Sequence, residues 1–386
     1  MSNIEIKSPE EAEIIKNLEA RNDAEAKRIL RFLNMPDLSR DKASPLYELI
    51  ERLVNLPEFK LFDNVKISDI VPAKERFDLF DFPADHPARS KSDTYYINGD
   101  YILRTHTTVM WYYYLLSEKV KEKLKGEEPI GVFCHGKVYR KDEIDRHHMN
   151  VFHQVDGLYL CRKAEKNIER RDLEEVLVKI AQAIFGKDIK YRFNDDFFPY
   201  TYSSIEMEIE KAGKWVEVLG AGIAQPSVLE KLGVNSKIWG GWAFGFGLER
   251  LAIISMDLPD IRLLWSEDPR IKKQLRLGNK YIPVSKYPPI TRDISFVVAS
   301  DFVPNNYFDL IRDLGLSADK AGGDLVEEVK LIDKYESSQK FGEGKISYAY
   351  RIIFRSNDRT LTSGEVDEIM SKIYSETKKQ FNAELR

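Results

Sequence analysis

The chain has 386 residues, which is enough for two or three domains with full hydrophobic cores. Hydrophobic residues make up 43% of it and charged residues 32%, a balance typical of a soluble globular protein, and no apolar run is long enough to span a membrane. The net charge of −4 excludes general attraction to nucleic acid, so any RNA contact must come from local patches.

The compartment is indicated by the cysteines and the N-terminus. Cys134 and Cys161 are the only cysteines, too few and too far apart for a zinc site or a disulfide framework, and they suit a reducing compartment. The first twenty residues are acidic and lack both a signal-peptide apolar core and a transit-peptide composition. We therefore expect the cytoplasm, with an organellar matrix as the alternative if the chain is a mature form.

Residues 8 to 56 are predicted to be helical. Ser8-x-x-Glu11 is a candidate capping box, and Pro45 precedes an amphipathic stripe that runs from Leu46 to Val54. We expect this region to form a helical cap on the core; the alternative is an arm that touches RNA.

The next stretch, from Phe77, is predicted to be a loop followed by short strands, because prolines and Gly99 interrupt it. All six histidines lie between His86 and His153, which suggests a polar cleft, although their spacing matches no metal motif. Thr108 to Lys125 is predicted to be a helix.

Residues 131 to 159 are predicted to form two strands with a charged loop between them. Arg140 offers a planar fork that matches phosphate oxygens. Gln154 and Asp156, two apart on a strand, point to the same side and could receive a cation. An anion site beside a cation site suits a zwitterionic substrate that meets a phosphate compound.

An amphipathic helix over residues 163 to 185 precedes further strands. The aromatic cluster around Pro199 is most often ordinary core. Glu217 is a lone acid on a mostly apolar strand, which is unusual unless it is paired or binds a cation. The strand leads into a turn at Gly220–Gly222, where a ligand could approach the backbone closely.

Residues 240 to 256 are predicted to be a glycine-punctuated strand that passes into an apolar helix. No Gly-Lys-Ser/Thr follows, so the segment is not a P-loop, and Arg250 stands where a dinucleotide fingerprint needs its third glycine. Strand-to-helix packing explains the glycines but not a charged Arg250 among apolar neighbours.

The segment from Pro269 to Lys286 is basic with little periodicity and is predicted to be a linker. From Tyr287 the order of elements is strand, helix, strand, strand, helix and a short end, a ferredoxin-like βαββα(β) plan. One face of the strand over residues 345 to 354 is apolar, and the other carries Lys345, Arg351 and Arg355.

Together these segments resemble the phenylalanyl-tRNA synthetases, a class II aminoacyl-tRNA synthetase family, in their single-chain, mitochondrial-type form. The similarity runs from Phe77 to the end. Tyr139-Arg140-x-Asp142, then His148, then Phe152-His153-Gln154-x-Asp156-Gly157 resembles motif 2, and the Gly-x-Gly-x-Glu-Arg run that ends at Arg250 resembles motif 3. The tail resembles the anticodon-binding domain of that family.

The resemblance implies an α+β fold, in which an antiparallel class II synthetase sheet flanked by helices is followed by a ferredoxin-like (βαββαβ) domain. The domains expected are an N-terminal helical extension over 1–70, a catalytic domain over 71–270, a linker over 271–286 and an anticodon-binding domain over 287–386. The implied enzyme is a phenylalanine–tRNA ligase that uses ATP and Mg²⁺, acts on L-phenylalanine and tRNA(Phe), and is a monomer.

The resemblance also implies roles for single residues. Arg140 and Arg250 would be catalytic and hold the α- and γ-phosphates of ATP, Phe152 would stack on adenine, and Glu217 would ligate Mg²⁺. The remaining ATP-binding residues would be Asp142 and His148. The substrate ammonium would be received by His106, Thr108, Gln154 and Asp156, and the ring pocket would comprise Phe198, Tyr200, Gly220, Gly222 and Ala243. Lys345, Arg351 and Arg355 would bind tRNA.

Two departures keep alternatives open. Tyr200 stands where the family usually has phenylalanine, and Asp156 replaces the commoner glutamate. A ligase for another aromatic amino acid is therefore one alternative. A synthetase-like protein that binds without ligating is the other, although such a protein would be expected to lose the phosphate-binding arginines.

Overall fold

The structure is a computed structural model that describes residues 2–283, 287–315, 325–356 and 359–386. Residues 284–286, the end of the predicted linker, lie outside the described residues, as do short stretches of the predicted C-terminal domain. The chain divides into two compact units. The first comprises Met1–Arg140, Val151–Asp257 and Arg276–Asn279, and the second comprises Lys141–Asn150, Leu258–Leu275 and Lys280–Arg386.

The first 70 residues contain three helices and also strands that were not predicted. The elements are β1 (Asn3–Ile6), α1 (Glu11–Glu19), α2 (Ala24–Asn34), α3 (Pro45–Val54), β2 (Asp63–Ile67) and β3 (Ile70–Pro72). Pro45 begins α3 as predicted, with Ser44 as its cap. The predicted capping box at Ser8 is wrong, because the Ser8 hydroxyl bonds to Tyr113 at 2.7 Å and Glu10 precedes α1 without a side-chain cap.

The remaining elements of the first unit follow in chain order: α4 (Ala73–Phe77), β4 (Tyr101–Leu103), α5 (Met110–Leu115), α6 (Glu118–Lys125), β5 (Ile130–Tyr139), β6 (Val151–Arg162), α7 (Arg170–Phe185), β7 (Tyr191–Asp195), β8 (Thr201–Lys211), β9 (Lys214–Ala224), α8 (Pro226–Lys231), β10 (Trp239–Gly247) and α9 (Leu248–Met256). The single helix predicted over 108 to 125 is divided in two, because the Ser117 side chain accepts a hydrogen bond from the Val120 amide and caps a new helix.

Eight of these strands form one sheet in the order β1-β2-β5-β6-β10-β9-β8-β7. From β5 to β7 all neighbours are antiparallel, as predicted, whereas β1, β2 and β5 pair in parallel. β5 is buried along its whole length, so the centre of the sheet is covered on both faces. In the part of the chain that the structure describes, no helix is long and apolar enough to cross a membrane.

The second unit contains a four-stranded antiparallel sheet in the order β12-β13-β11-β14. Its elements are α10 (Pro269–Lys272), β11 (Ile290–Ala299), α11 (Pro304–Gly315), β12 (Val326–Glu336), α12 (Ser338–Phe341), β13 (Lys345–Phe354), α13 (Ser363–Phe381) and β14 (Glu384–Leu385). The predicted ferredoxin-like order is confirmed. Tyr348, Tyr350 and Ile352 fill its core as their alternation indicated, and Thr362 and Glu365 form the predicted capping box.

Two glycines of β10 provide a matched test of how tightly the large sheet is packed. A Cβ atom on Gly241 would lie 1.8 Å from the main-chain oxygen of Tyr159 on β6, whereas a Cβ atom on Gly247 would have nothing within 4 Å. We therefore expect Gly241→Ala to lower the free energy of unfolding by about 3 kcal/mol or more, because backbone must move to relieve the clash. Gly247→Ala should change it by less than about 1 kcal/mol. Urea unfolding measures both, and equal losses would contradict the packing described.

Candidate active site

The centre of the large sheet brings together residues from β6, β9 and β10. Gln154 and Asp156 of β6 lie opposite Gly247 and Gly245 of β10, and Ala243 of β10 lies opposite Gly222 of β9. A Cβ atom on Gly245 would lie 2.9 Å from an Asp156 carboxylate oxygen, so glycine there leaves the room that the carboxylate occupies. The short side chains thus keep the space beside Asp156 clear.

Asp156 is a buried acid at the centre of this site. It is 5% exposed and accepts hydrogen bonds from the hydroxyls of Thr107 and Thr108. Burial raises the pKa of Asp156 to about 6, although the two threonines and the nearby Arg76 and Arg140 lower it in part. A buried carboxylate with hydroxyl donors on one side is a binding site for a cationic group. Sequence reasoning did not single out Thr107.

His106, which precedes Thr107 in the chain, has both ring nitrogens buried and without a hydrogen-bond partner among the described residues. Its ring stacks on Phe82, with centroids 6.1 Å apart, and lies 5.8 Å from the ring of Tyr200. Burial, together with Arg76 and Arg140, lowers the pKa of His106 well below its usual value, so the imidazole is neutral at pH 7. A neutral imidazole offers one donor and one acceptor to a ligand.

Two further buried polar atoms are without hydrogen-bond partners in the part of the chain that the structure describes: Gln154 Oε1 and Trp111 Nε1. Trp111 packs edge-on against Tyr200, with centroids 6.1 Å apart. Buried polar groups are normally hydrogen-bonded, and each one left unpaired costs about 1–3 kcal/mol. Several unpaired buried polar atoms near the Asp156 carboxylate indicate a site that binds a polar ligand.

An aromatic wall adjoins the polar groups. Tyr200 stacks on Phe198 at 6.0 Å and on Phe82 at 6.1 Å. A Cβ atom on Gly220 would lie 2.7 Å from the Phe198 ring, so glycine allows that ring to lie against the backbone. The Tyr200 hydroxyl interacts with Thr108 and Asp156, and burial raises the pKa of Tyr200 to about 12. Its polar end therefore faces the carboxylate, and its ring faces the aromatic neighbours.

Each residue predicted to bind phosphate or adenine contacts another predicted site residue. Arg140 donates from Nε to the main-chain oxygen of Thr105 at 3.0 Å, and its guanidinium lies 5.2 Å from the ring centroid of Phe152. Arg250, near the start of α9, lies 3.3 Å from the Glu217 carboxylate of β9. The side chains of Arg250 and Glu217 are 47% and 51% exposed, so they form a solvated ion pair that stabilises the fold by well under 1 kcal/mol.

A buried pair that sequence reasoning missed joins the two motifs. Both carboxylate oxygens of Glu249 accept from the main-chain amide of His153, at 3.0 and 2.8 Å, and one accepts from His153 Nδ1 at 2.6 Å. His153 Nε2 in turn accepts from the Leu38 amide at 2.9 Å, so the proton is on Nδ1. Glu249 adjoins Arg250, and His153 adjoins Phe152, so this contact fixes the spacing of ATP-site candidates. The acid at Glu249 in an apolar helix was the available signal.

Other predicted site residues lie in the second unit. The Asp142 carboxylate accepts from the Glu143 amide at 2.9 Å, and His148 pairs with Asp145 at 2.8 Å. The three basic residues predicted to bind tRNA are all ion-paired: Lys345 with Glu384, Arg351 with Asp293 and Arg355 with Glu327. Two of these pairs are well exposed and of low energetic cost to open, whereas Glu327 is buried.

The acidic side chains determine whether the site could hold a metal ion. Among the described residues, no group of three or more His, Cys, Asp or Glu side chains could hold a metal ion. Mg²⁺, however, is commonly held by one or two carboxylates together with substrate phosphates and water. Glu217 is an accessible hard-oxygen ligand beside a phosphate-binding candidate, so this site fits Mg²⁺ that arrives with a nucleotide.

Comparison with known proteins covers nearly the whole chain. The family model for the tRNA synthetases class II core domain (F) matches residues 32–275, and that for the ferredoxin-fold anticodon binding domain matches residues 285–386. The chloroplastic/mitochondrial phenylalanine–tRNA ligase of Arabidopsis thaliana is 39% identical over 85% of this chain and 73% of its own length. The mitochondrial phenylalanine–tRNA ligase of Mus musculus is 34% identical over 86% and 79%, and that of Saccharomyces cerevisiae is 31% identical over 88% and 87%.

The raised pKa of Asp156 predicts a stability effect with a definite sign. The folded protein holds this proton up to about pH 6, whereas the unfolded chain releases it near its ordinary value of 3.8. Folded protein therefore binds more protons within that interval, so Asp156 destabilises it progressively as pH rises from about 4 to about 6. Asp156→Asn lacks this penalty and should gain up to about 3 kcal/mol relative to wild type over the interval. Urea unfolding of both proteins across that pH range measures the difference between their free energies of unfolding. A difference that does not change with pH would contradict the prediction.

Proposed function

Because the chain belongs to the family of class II tRNA synthetases, we propose that it joins L-phenylalanine to tRNA(Phe) through a phenylalanyl-adenylate, with ATP as the energy source. The observation that carries the substrate assignment is the group of buried polar atoms around Asp156 that have no partner among the described residues, next to an aromatic wall. An amino acid with an aromatic side chain satisfies both parts of such a site.

The amino-acid roles follow from that arrangement. The substrate ammonium binds to Asp156, with Gln154 Oε1 as a further acceptor and with His106 and Thr108 beside it. The phenyl ring packs against Phe198 and Tyr200, where offset and edge-on contacts are favourable. Ala243 and the turn at Gly220 and Gly222 complete the ring pocket.

ATP is held by a second set of residues. Arg140 binds the α-phosphate, Arg250 replaces its bond to Glu217 with one to the γ-phosphate, and Phe152 stacks on adenine. The resemblance also assigns ATP binding to Asp142 and His148, which belong to the other unit. Glu217, once parted from Arg250, is the residue that would hold Mg²⁺, and the bound ion would neutralise charge on the phosphates.

In the first reaction a substrate carboxylate oxygen attacks the α-phosphorus, a C–O–P linkage forms, and pyrophosphate leaves. The protein positions the two reactants and supplies positive charge, and no side chain has to remove a proton. In the second reaction a tRNA 2′-hydroxyl attacks the acyl carbon, the bond from that carbon to the phosphate oxygen breaks, and AMP leaves as its phosphate takes up the hydroxyl proton. The C-terminal domain contributes tRNA contacts from Lys345, Arg351 and Arg355, whose carboxylate partners would give way to RNA phosphates.

The binding-only alternative is not favoured, because Arg140 and Arg250 are both retained and lie at the site. We propose a monomer with the four domains bounded as in the sequence analysis. For location we propose an organellar matrix, the alternative given above to the cytoplasm, because the relatives named here are mitochondrial or chloroplastic enzymes. Cell fractionation with an antibody to the chain tests that assignment.

The activation step is tested by ATP–pyrophosphate exchange with each of the standard amino acids, without tRNA. We expect exchange that depends on phenylalanine and that falls by roughly a hundredfold or more in Arg250→Ala, because a charge that stabilises the transferring phosphates is lost. Arg270→Ala is the matched control, since Arg270 is also exposed and ion-paired, with Asp268 at 2.6 Å. Exchange that depends on another amino acid would show that Tyr200 and Asp156 have changed the substrate specificity. No exchange with any amino acid would exclude a ligase.

The ring pocket is tested by enlarging it. Ala243 is buried, so Ala243→Gly opens space without adding a polar group. We expect this variant to activate para-substituted phenylalanines, with exchange rates at least tenfold above those of wild type, while phenylalanine itself loses little. Ala252→Gly, at a buried alanine of α9 outside the pocket, is the control for simple loosening of the core. An unchanged substrate range in Ala243→Gly would show that Ala243 does not line the ring pocket.

A further inference from the structure

Arg76 is a buried arginine that neither the motifs nor the proposed roles include. It lies on α4 with 1% of its surface exposed and donates from Nε to the Thr105 hydroxyl at 3.0 Å. Its Nη1 is buried and has no hydrogen-bond partner among the described residues. Within the same residues no carboxylate forms an ion pair with it. A buried guanidinium with no carboxylate in ion-pair contact is costly, so an anionic ligand would stabilise it.

The surroundings of Arg76 place it at the amino-acid end of the site. Its guanidinium carbon lies 4.4 Å from the ring centroid of Phe82, and that ring in turn stacks on His106 and Tyr200. Asp156 is also close enough to interact with its charge. Arg76 therefore shares one wall with the residues proposed to receive the substrate amino acid.

A second cation, Arg140, bonds to the same threonine as Arg76. Thr105 accepts from Arg76 through its hydroxyl and from Arg140 through its main-chain oxygen, each at 3.0 Å. Burial, with a smaller contribution from Arg140, lowers the pKa of Arg76 to about 9, which still leaves it charged at pH 7. Two guanidinium groups held by one residue repel each other, and an anion placed between them relieves that repulsion.

We propose that Arg76 binds the carboxylate of the amino-acid substrate. This rests on the proposed function. The ammonium and the carboxylate of an amino acid share one carbon atom, so an ammonium on Asp156 places the carboxylate beside the neighbouring guanidinium groups. Arg76 lies on the buried side and holds one carboxylate oxygen, which leaves Arg140 for the α-phosphate and the other oxygen for attack. Orientation of the nucleophile is then set before ATP is bound.

Paired ligands provide the test. Binding of L-phenylalanine and of L-phenylalaninol, which keeps the ammonium and the ring but lacks the carboxylate, is measured by calorimetry for wild type and Arg76→Gln. We expect the Kd for phenylalanine to rise roughly 10- to 100-fold in the variant, the range for a lost hydrogen bond between charged groups. The Kd for phenylalaninol should change by less than about twofold, because this ligand has no carboxylate for Arg76 to bind. The KM for ATP in pyrophosphate exchange should also stay the same.

Two controls separate a binding role from a packing role. Arg89→Gln removes another arginine that lies over Phe77, at 5.2 Å, but that is ion-paired with Asp78 and donates to the main-chain oxygen of Phe82 at 2.6 Å. It should leave the ratio of the two dissociation constants unchanged. Arg76→Lys keeps the charge and loses the fork, so it should show a smaller loss that is again confined to phenylalanine. If Arg76→Gln does not fold, the comparison of the two ligands is made with Arg76→Lys instead.

The outcomes distinguish this inference from the function on which it rests. Equal losses for both ligands, or a raised KM for ATP with unchanged phenylalanine binding, would overturn the role of Arg76 while wild-type exchange still established the ligase. If wild type exchanges with a different amino acid, that amino acid and its alcohol replace the pair in the same comparison. Wild type that binds phenylalanine selectively through Arg76 but catalyses no exchange would overturn the ligase alone. Wild type that binds no amino acid would overturn both.

Discussion

The geometry of the site depends on one buried interaction, between Glu249 and His153. Glu249 accepts the main-chain and ring N–H groups of His153, and so it fastens the start of α9 to β6. Arg250 follows Glu249, and Phe152 precedes His153, so the phosphate and adenine candidates are spaced by this contact. A buried acid that loses its partner costs about 3–5 kcal/mol, which makes any other spacing of these two elements unfavourable. His153 also accepts from the Leu38 amide, and the N-terminal region is thereby fixed to the same point.

The end of the site that is proposed to bind the amino acid is organised differently, because several of its buried polar atoms have no hydrogen-bond partner among the described residues. Arg76 Nη1, both nitrogens of His106 and Gln154 Oε1 are buried and unbonded among the described residues, and Asp156 is held at a raised pKa. Each of these costs folding free energy. The surrounding aromatic rings and the sheet supply the compensating burial, which is the usual relation between a rigid core and a site that is prepared for its ligand.

Much of this organisation could be predicted from the sequence, for identifiable reasons. Gln154 and Asp156 share a face because strand periodicity is fixed, and the alternation in β13 indicated its buried side correctly. β1 and β2 were missed, because four or five residues paired in parallel leave little local pattern. Arg76 was missed because its partner Thr105 is 29 residues away and only folding joins them. The ion pairs of Lys345, Arg351 and Arg355 have the same origin, since their acids come from other strands.

The three arginines of the site differ in depth, and depth decides what each can do. Arg76 is buried, so its charge acts in a low effective dielectric and orients a ligand strongly, but only a ligand that brings its own negative charge can repay the cost of burial. Arg250 is half exposed and pairs weakly with Glu217, so phosphate oxygens can displace that carboxylate at little cost. Arg140 lies between these extremes and shares Thr105 with Arg76. The proposed roles thus assign the amino acid to the buried end and ATP to the exposed end, an arrangement that suits in-line attack of a carboxylate on a nucleotide, because the nucleophile is already oriented when the phosphate arrives.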